Sequence, residues 1–277
     1  MDRPTIDSGL AGHLRPRWEE LLTRIEGFGS AVVALSGGVD SALLATAAWR
    51  ALGDRVLAVY VRSPVETDET TAAAERLSEE IGFPLRIVDY DALADPEFVA
   101  NPPDRCYVCK RSLFGMLRTL ADDLGFEALL EGTNGDDSTD YRPGRRALGE
   151  IGAQSPLLDL GFSKTEIREL AHALGLSVWN RPSEPCLASR FPYGAAVTAE
   201  GLRQIAEGEH YLKTMGFPVV RVRHHGQVAR IEIRPDDIER LVAMRADVTA
   251  HFRALGFAYV TLDLAGYRTG SLNEVLP

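Results

Sequence analysis

The sequence predicts an α/β fold: a doubly wound, mostly parallel sheet followed by a smaller C-terminal α+β domain. Three observations carry this expectation. From about residue 31, β-type and helix-type stretches alternate as a parallel sheet with helices on its faces requires. A short apolar run ends at a glycine pair and passes straight into an amphipathic stretch, the strand–turn–helix order in which such sheets hold ligands. After a proline-rich stretch at 180–194 the rhythm changes to two adjacent β-like runs between helices.

AVVAL at 31–35 reads as the first strand, and Val39–Leu52 places Leu43, Leu44, Ala47, Ala48 and Leu52 on one helical stripe. RVLAVYV (55–61) and LRIVDY (85–90) read as further strands around an Ala- and Glu-rich helix, 70–81, closed by Gly82. A helix over 110–124 leads to the apolar run EALLEG at 127–132. Ser163 with Glu166 three residues on reads as a capping box that opens a helix running to Leu174. The three prolines and one glycine of NRPSEPCLASRFPYG predict a loop, and with it domains at 1–194 and 195–277. Beyond it come a helix at 198–215, the runs VVRVRH and VARIEIR joined across His225 and Gly226, a helix at 235–255 and a last strand, AYVTLDLA, at 258–265. His224 and His225 point to opposite faces of a strand, which favours a tight turn there over a metal pair. Trp18, Trp49 and Trp179 are assigned to the core.

Composition narrows the class. At 277 residues, 45% hydrophobic and 25% charged, the chain excludes disorder, collagen-like repeats and a disulfide-stapled miniprotein. Its net charge of −10 repels polyanions, so nucleic acid is not an expected partner. No stretch approaches the roughly 20 apolar residues of a membrane span, and the first residues lack a secretory apolar core, so a cytoplasmic location is expected. Cysteines in that compartment stay reduced, which makes the three present here candidates for metal binding or catalysis.

Ser36-Gly37-Gly38-Val39-Asp40-Ser41 stands where successive backbone N–H groups and a helix dipole make an anion site. It lacks the Gly-Lys-Ser/Thr ending used for γ-phosphoryl transfer, and it does not fit G-x-G-x-x-G. Gly132-Thr133-Asn134-Gly135-Asp136-Asp137 follows another predicted strand, so Asn134 and Asp137 reach the same ligand or form a turn. Cys106 and Cys109 form a C-x-x-C pair just before a predicted helix, and Cys186 lies in the proline-rich loop. Three thiolates suit an iron–sulfur cluster with one open iron, or zinc with a further ligand; a redox pair and plain burial are the alternatives. Arg105, Lys110 and Arg190 stand beside these thiols and would favour the thiolate form.

The loop at 36–41 resembles the SGGxDS signature of the PP-loop ATP pyrophosphatases, with their adenine nucleotide alpha hydrolase-like fold. That resemblance implies that Ser36, Gly37, Gly38, Asp40 and Ser41 hold the pyrophosphate portion of ATP, with Mg²⁺ neutralising charge. Together with NPPDRCYVCK, EGTNGDDSTDYRPGRRAL, SPLLDLGFSKTEIRELA, PCLASRFPYG and RVRHHGQVARIEI, it resembles the ATP-dependent sulfur transferases acting on pyridinium-3,5-biscarboxylic acid mononucleotide during nickel-pincer nucleotide synthesis.

In that family a substrate carboxylate is adenylated and then converted to a thiocarboxylate. The resemblance implies two possible sulfur sources. A cysteine matching Cys186 surrenders its own sulfur, or Cys106, Cys109 and Cys186 together hold a [4Fe-4S] cluster that carries an extra sulfide; the presence of all three favours the cluster. It further implies Arg221 and Arg223 at the substrate phosphate, Ser189 and Arg190 beside the reactive cysteine, and Glu209 and Glu232 at a metal near the substrate. Arg142, Lys164 and Arg168 are candidates near the ATP phosphates or the adenylate, with a solvated helix face fitting Lys164 and Arg168 equally well, and the resemblance implies a homo-oligomer. Read without the family, the arginines fit a solvated strand face equally well, since 27 of the 30 basic residues are Arg, and the two glutamates fit surface acids. A tRNA thiolase, an amidotransferase-type synthetase and a non-catalytic ATP-binding regulator are the competing functions.

Overall fold

A computed structural model describes residues 10, 12–136, 144–182, 185–268 and 270–275. The chain divides into two compact units, Met1–Tyr90 with Cys106–Glu184, and Asp91–Arg105 with Pro185–Pro277.

The first unit is built on β1 (Ala31–Leu35), β2 (Val56–Arg62), β3 (Leu85–Asp89) and β4 (Ala128–Leu130), in the order β3-β2-β1-β4. All neighbours are parallel, with Val33 opposite both Ala58 and Leu130. Alternation along β1 explains the two layers. Ala31, Val33 and Leu35 join a core with α1 (Leu14–Glu26), α2 (Val39–Leu52), α3 (Asp68–Ile81) and α8 (Lys164–Ala173). Val32, Val59 and Leu129 face the other way, onto Phe114, Leu117 and Ala121 of α5 (Arg105–Asp123) and Leu148 of α6 (Gly144–Ile151). A strand buried on both faces has no polar positions to spare, which is why AVVAL is continuous rather than alternating. The capping box forms as expected: Ser163 Oγ accepts from Glu166 N at 3.2 Å, and Ser163 N donates to the Glu166 carboxylate at 2.9 Å. A short α7 (Pro156–Asp159) lies between α6 and that box, and α4 (Pro96–Val99) lies in the excursion belonging to the second unit.

In the second unit β5 (Val220–His225) runs antiparallel to β6 (Val228–Ile233), and β7 (Tyr259–Leu262) lies parallel to β6 on its other side. The turn between β5 and β6 needs a positive φ, supplied by Gly226 at 65°. One core gathers Val220, Val222, Ile231 and Ile233 with Leu212 of α9 (Ala199–Thr214), Leu241 of α10 (Ile238–Ala243) and Phe252 of α11 (Arg245–Ala254).

Three expectations change. The helix expected at 235–255 is broken: a 3-10 turn at Pro235–Asp237 precedes α10, and Met244 (φ −94°, ψ 13°) leaves the helical well before α11. α5 begins at Arg105, so Cys106 and Cys109 lie within the helix rather than ahead of it. Trp18 is buried, but Trp179 is 38% exposed and meets the His172 ring edge-on at 4.4 Å. Among the described residues, no helix is long and apolar enough to cross a membrane.

Packing also reverses an ordinary propensity. A Cβ at Gly208 in α9 would lie 2.9 Å from Cε1 of the buried Phe252, while one at Gly149 in α6 meets nothing within 4 Å. Gly149→Ala is expected to stabilise the chain by about 0.5–1 kcal/mol. Gly208→Ala should destabilise it by about 1–3 kcal/mol through overpacking. Urea unfolding of the two variants checks the opposite signs.

Candidate active site

The loop after β1 is shaped by glycine and closed by serine. Gly37 has φ 73°, and a Cβ there would stand 3.1 Å from the Thr70 carbonyl oxygen, so no larger residue fits without displacing α3. Gly38 caps α2 in an extended conformation (φ −88°, ψ 163°) with no side-chain cap, so the first N–H groups of the helix lack an intrahelical acceptor. Ser41 is 3% exposed; its Oγ accepts from Ser36 N at 3.0 Å and lies 3.1 Å from the Gly38 carbonyl, so it braces the turn from inside. Unsatisfied N–H groups and the positive end of a 14-residue helix together attract an anion.

The loop after β4 meets it. A Cβ on Gly132 would come within 3.0 Å of Ser41 N and 3.2 Å of the Asp40 carbonyl carbon. Asn134 donates from Nδ2 to Asp40 at 3.2 Å, and Lys164 at the start of α8 reaches the other Asp40 oxygen at 2.5 Å. Asp136 accepts from Lys164 N at 2.8 Å. Glu131, 4% exposed, anchors this turn by accepting from Thr133 N, from Thr133 Oγ1 and from Ser155 Oγ. Sequence reasoning missed Glu131; its only signal is an acid that directly follows the apolar residues of a strand. Lys164, balanced between a solvated face and the nucleotide, is committed to the loop. Asp137 and Arg142 lie outside the described residues.

No cysteine is in a disulfide; Cys106 is exposed, and Cys109 and Cys186 are partly exposed. Cys106 and Cys109 are one turn apart on α5 and so share a helical face. Cys186 caps a 3-10 turn, Leu187–Arg190, in the second unit. Among the described residues of each unit, no group of three or more His, Cys, Asp or Glu side chains gathers to hold a metal ion.

Arg190, Arg221, Arg223, Glu209 and Glu232 are buried rather than part of a solvated face. Arg190 and Glu209 are 2% and 5% exposed and form a two-pronged pair at 2.9 and 3.0 Å. Glu209 also accepts from Val222 N at 3.0 Å. Arg223 pairs in the same manner with Glu232, at 2.9 and 2.8 Å, and Arg230 donates to that carboxylate at 2.8 Å. Arg221 shares the Arg223 face of β5, with its guanidinium 5.2 Å from the Tyr267 ring centroid. The remaining Arg190 nitrogen donates to the carbonyls of Pro185 at 2.6 Å and Cys186 at 3.2 Å and to Ser189 Oγ at 2.9 Å. Ser189 and Arg190 are thus placed in the cysteine segment, as expected from their position in the chain.

Gly132→Ala pushes the second loop against Asp40 and Ser41, so ATP affinity should drop about tenfold or more by titration calorimetry, equivalent to about 1.4 kcal/mol. His224 offers a separate check, on the second unit. It lies between Phe191 and Phe257, with ring centroids at 4.9 and 5.4 Å, and its Nε2 is 3.0 Å from Gln204 Oε1. Gln204 spends its amide N–H on Leu255 O at 2.9 Å, so its oxygen accepts and His224 carries the Nε2 proton. Burial holds the His224 pKa below the ordinary histidine value. The unfolded chain therefore binds more protons below its own value of about 6.5; this stabilisation is present above that value and is lost as pH falls from there through the lower folded value. The urea midpoint should decline as pH falls below about 6.5, and less steeply in His224→Phe; identical slopes in the two proteins would contradict this account.

Comparison with known proteins places these features. The NAD synthase family model matches residues 20–96, which span the glycine loop. The chain is 43% identical over 248 residues to an uncharacterized protein of Synechocystis sp., covering 89% of this chain and 92% of the relative. It is 41% identical over 245 residues to the pyridinium-3,5-bisthiocarboxylic acid mononucleotide synthase of Lactiplantibacillus plantarum, covering 88% and 89% respectively. One subunit of the glutamine-hydrolyzing GMP synthase of Halorubrum lacusprofundi is 30% identical over 193 residues, covering 63% of this chain and 59% of the relative. With a parallel four-stranded PP-loop fold and 41% identity over 88% of its length, the chain belongs to the pyridinium-3,5-bisthiocarboxylic acid mononucleotide synthase family of ATP-dependent sulfurtransferases.

Proposed function

We propose that this chain adenylates a carboxylate of pyridinium-3,5-biscarboxylic acid mononucleotide and converts it to a thiocarboxylate for nickel-pincer cofactor synthesis. A carboxylate is a poor electrophile because it would have to expel an oxide. A carboxylate oxygen attacks the α-phosphorus of ATP, pyrophosphate leaves, and the acyl adenylate gains a good leaving group. A sulfur nucleophile then forms the C–S bond as the C–O bond to AMP breaks, and AMP departs with that oxygen. The observation that supports this reading best is the pairing, in one chain of this family, of a glycine loop braced on Asp40 with a partly exposed Cys186 outside any disulfide.

In this reading Ser36, Gly37, Gly38, Asp40 and Ser41 hold the pyrophosphate end of ATP, with Mg²⁺, Asn134 and Asp137 beside it. Arg142 and Lys164 serve the ATP phosphates or the adenylate, while Arg221, Arg223, Ser189 and Arg190 orient the anionic substrate. The unit of residues 1–90 and 106–184 serves nucleotide activation, and the unit of residues 91–105 and 185–277 serves substrate binding and oligomer formation, in a cytoplasmic protein without a nucleic-acid partner.

Three thiols fit a [4Fe-4S] cluster by donor chemistry, with Cys106 and Cys109 adjacent on one helical face. When bound, the cluster supplies sulfide that can be replenished between turnovers. The Glu209 and Glu232 carboxylates already accept several short hydrogen bonds, so a metal there would share oxygens with Arg190 and Arg223.

Pyrophosphate release, measured with the pyridinium dicarboxylate mononucleotide, with tRNA and with neither, tests the function. Release is expected with the mononucleotide alone; stimulation by tRNA would instead indicate a thiolase, and none under any condition a binding protein. Anaerobic reconstitution should load iron on the wild type and not on Cys106→Ala. Loss of roughly one H₂S from the intact chain after a single turnover would mean that Cys186 gives up its own sulfur.

A further inference from the structure

The segment that carries Cys186 is gripped on its carbonyl side by arginines from three places in the second unit. Arg190 donates to the carbonyls of 185 and 186, Arg223 to that of Ser189 at 2.9 Å, and Arg105 to that of Ala188 at 3.1 Å. Arg190 and Arg223 are each neutralised by a buried glutamate. Arg105 is different. It is 3% exposed, its Nη1 also donates to Asn101 Oδ1, and its Nε is buried without a hydrogen-bond partner among the described residues. A buried cation with an unsatisfied N–H lowers stability, so its presence calls for a purpose other than stability.

Asn101 supplies the context. It is completely buried and, at φ 55°, is the non-glycine residue with positive φ among the described residues. Asparagine tolerates that conformation better than most residues. Its Nδ2 donates to the carbonyls of Pro192 at 2.7 Å and Ala195 at 3.0 Å, and its own carbonyl accepts from Gly194 N at 2.9 Å. Val99 O accepts from Val197 N at 2.9 Å. The stretch from Val99 to Arg105 therefore clasps 188–197 at both ends, with Pro102 and Pro103 stiffening it between the two grips.

We propose that Asn101 and Arg105 are positioning residues for Cys186: together they fix the 3-10 turn that Cys186 caps, so that its thiol is presented in one orientation for sulfur transfer. This rests on the transfer function proposed above. It also gives NPPDR a role apart from introducing the C-x-x-C pair.

The test compares the full-length wild type with Asn101→Gly, Arg105→Met and Arg105→Lys. Glycine keeps the positive φ and removes only the side chain, so backbone strain does not confuse the result. Amide hydrogen exchange in peptides covering 185–197 should quicken about tenfold in Asn101→Gly and Arg105→Met, with β5 and β6 unchanged. With ATP and the pyridinium dicarboxylate mononucleotide, thiocarboxylate formed per pyrophosphate released should fall about tenfold and recover partly in Arg105→Lys. General destabilisation would lower both products together and leave their ratio alone. Unchanged exchange over 185–197, or an unchanged ratio in folded variants, overturns the proposal. If Arg105→Met does not fold, Asn101→Gly and Arg105→Lys carry the comparison. A wild type that never forms thiocarboxylate sinks the transfer function, yet the exchange measurement still decides whether Asn101 and Arg105 hold the turn.

Discussion

Two parallel strands that end side by side govern the nucleotide half of this protein. The chain runs outward from β1 through β2 to β3 and then places β4 on the opposite edge of β1, so strand order reverses at β1. At such a reversal the helices that follow the two strands pack on opposite faces of the sheet, as α2 and α6 do, and leave a crevice at the carboxyl ends. Here that crevice is lined by the glycine loop after β1 and by the loop from Gly132 after β4. Gly132 is tolerated there because the backbones of the two loops are nearly in contact. The Asp40 carboxylate joins them, with Asn134 on one oxygen and Lys164 on the other. Any side chain at 132 would separate what the sheet brings together.

The second unit solves a different problem, that of burying charge. An isolated buried arginine or glutamate is costly, and a buried pair repays that cost only with good geometry and full use of its hydrogen-bonding groups. Arg190 with Glu209 and Arg223 with Glu232 meet this condition through paired contacts between 2.8 and 3.0 Å. Replacement by apolar residues of similar volume would do as well for stability alone. What an apolar pair lacks is the outer edge of each guanidinium, which holds the carbonyls of 185, 186 and 189. The ion pairs thus set the backbone around Cys186, and the acids act on that backbone through the arginines they orient.

Much of this was legible in the sequence where local rules suffice. AVVAL followed by SGGVDS declares a doubly buried strand and an anion-binding turn, and the Ser163–Glu166 spacing forms its capping box. The rest depends on distant partners. Arg223 and Glu232 look like a solvated face because arginine is common throughout this chain; only the pairing of β5 with β6 sets Arg223 near Glu232. Arg190 and Glu209 are 19 residues apart and meet because a 3-10 turn lies against α9. The break at Met244 leaves no glycine or proline to mark it, and Trp179, assigned to the core with the other tryptophans, lies beyond the end of α8. The excursion Asp91–Arg105 groups with residues more than 80 positions later, which no local pattern announces.

The preference for arginine in this segment follows from the same geometry. A lysine ammonium is a compact point charge, whereas a guanidinium is a planar fork with five donors directed along fixed edges. Arg190 uses one edge for Glu209 and the other for Pro185, Cys186 and Ser189, so a single side chain connects a helix carboxylate to the backbone beside a thiol. Arg223 repeats the arrangement, from Glu232 to Ser189. A lysine in either place would keep the charge and lose the connection, because it cannot present two rigid donor edges at once. In a chain of net charge −10, arginine here serves as a connector whose charge is mostly cancelled locally, leaving its directionality as the property the fold uses.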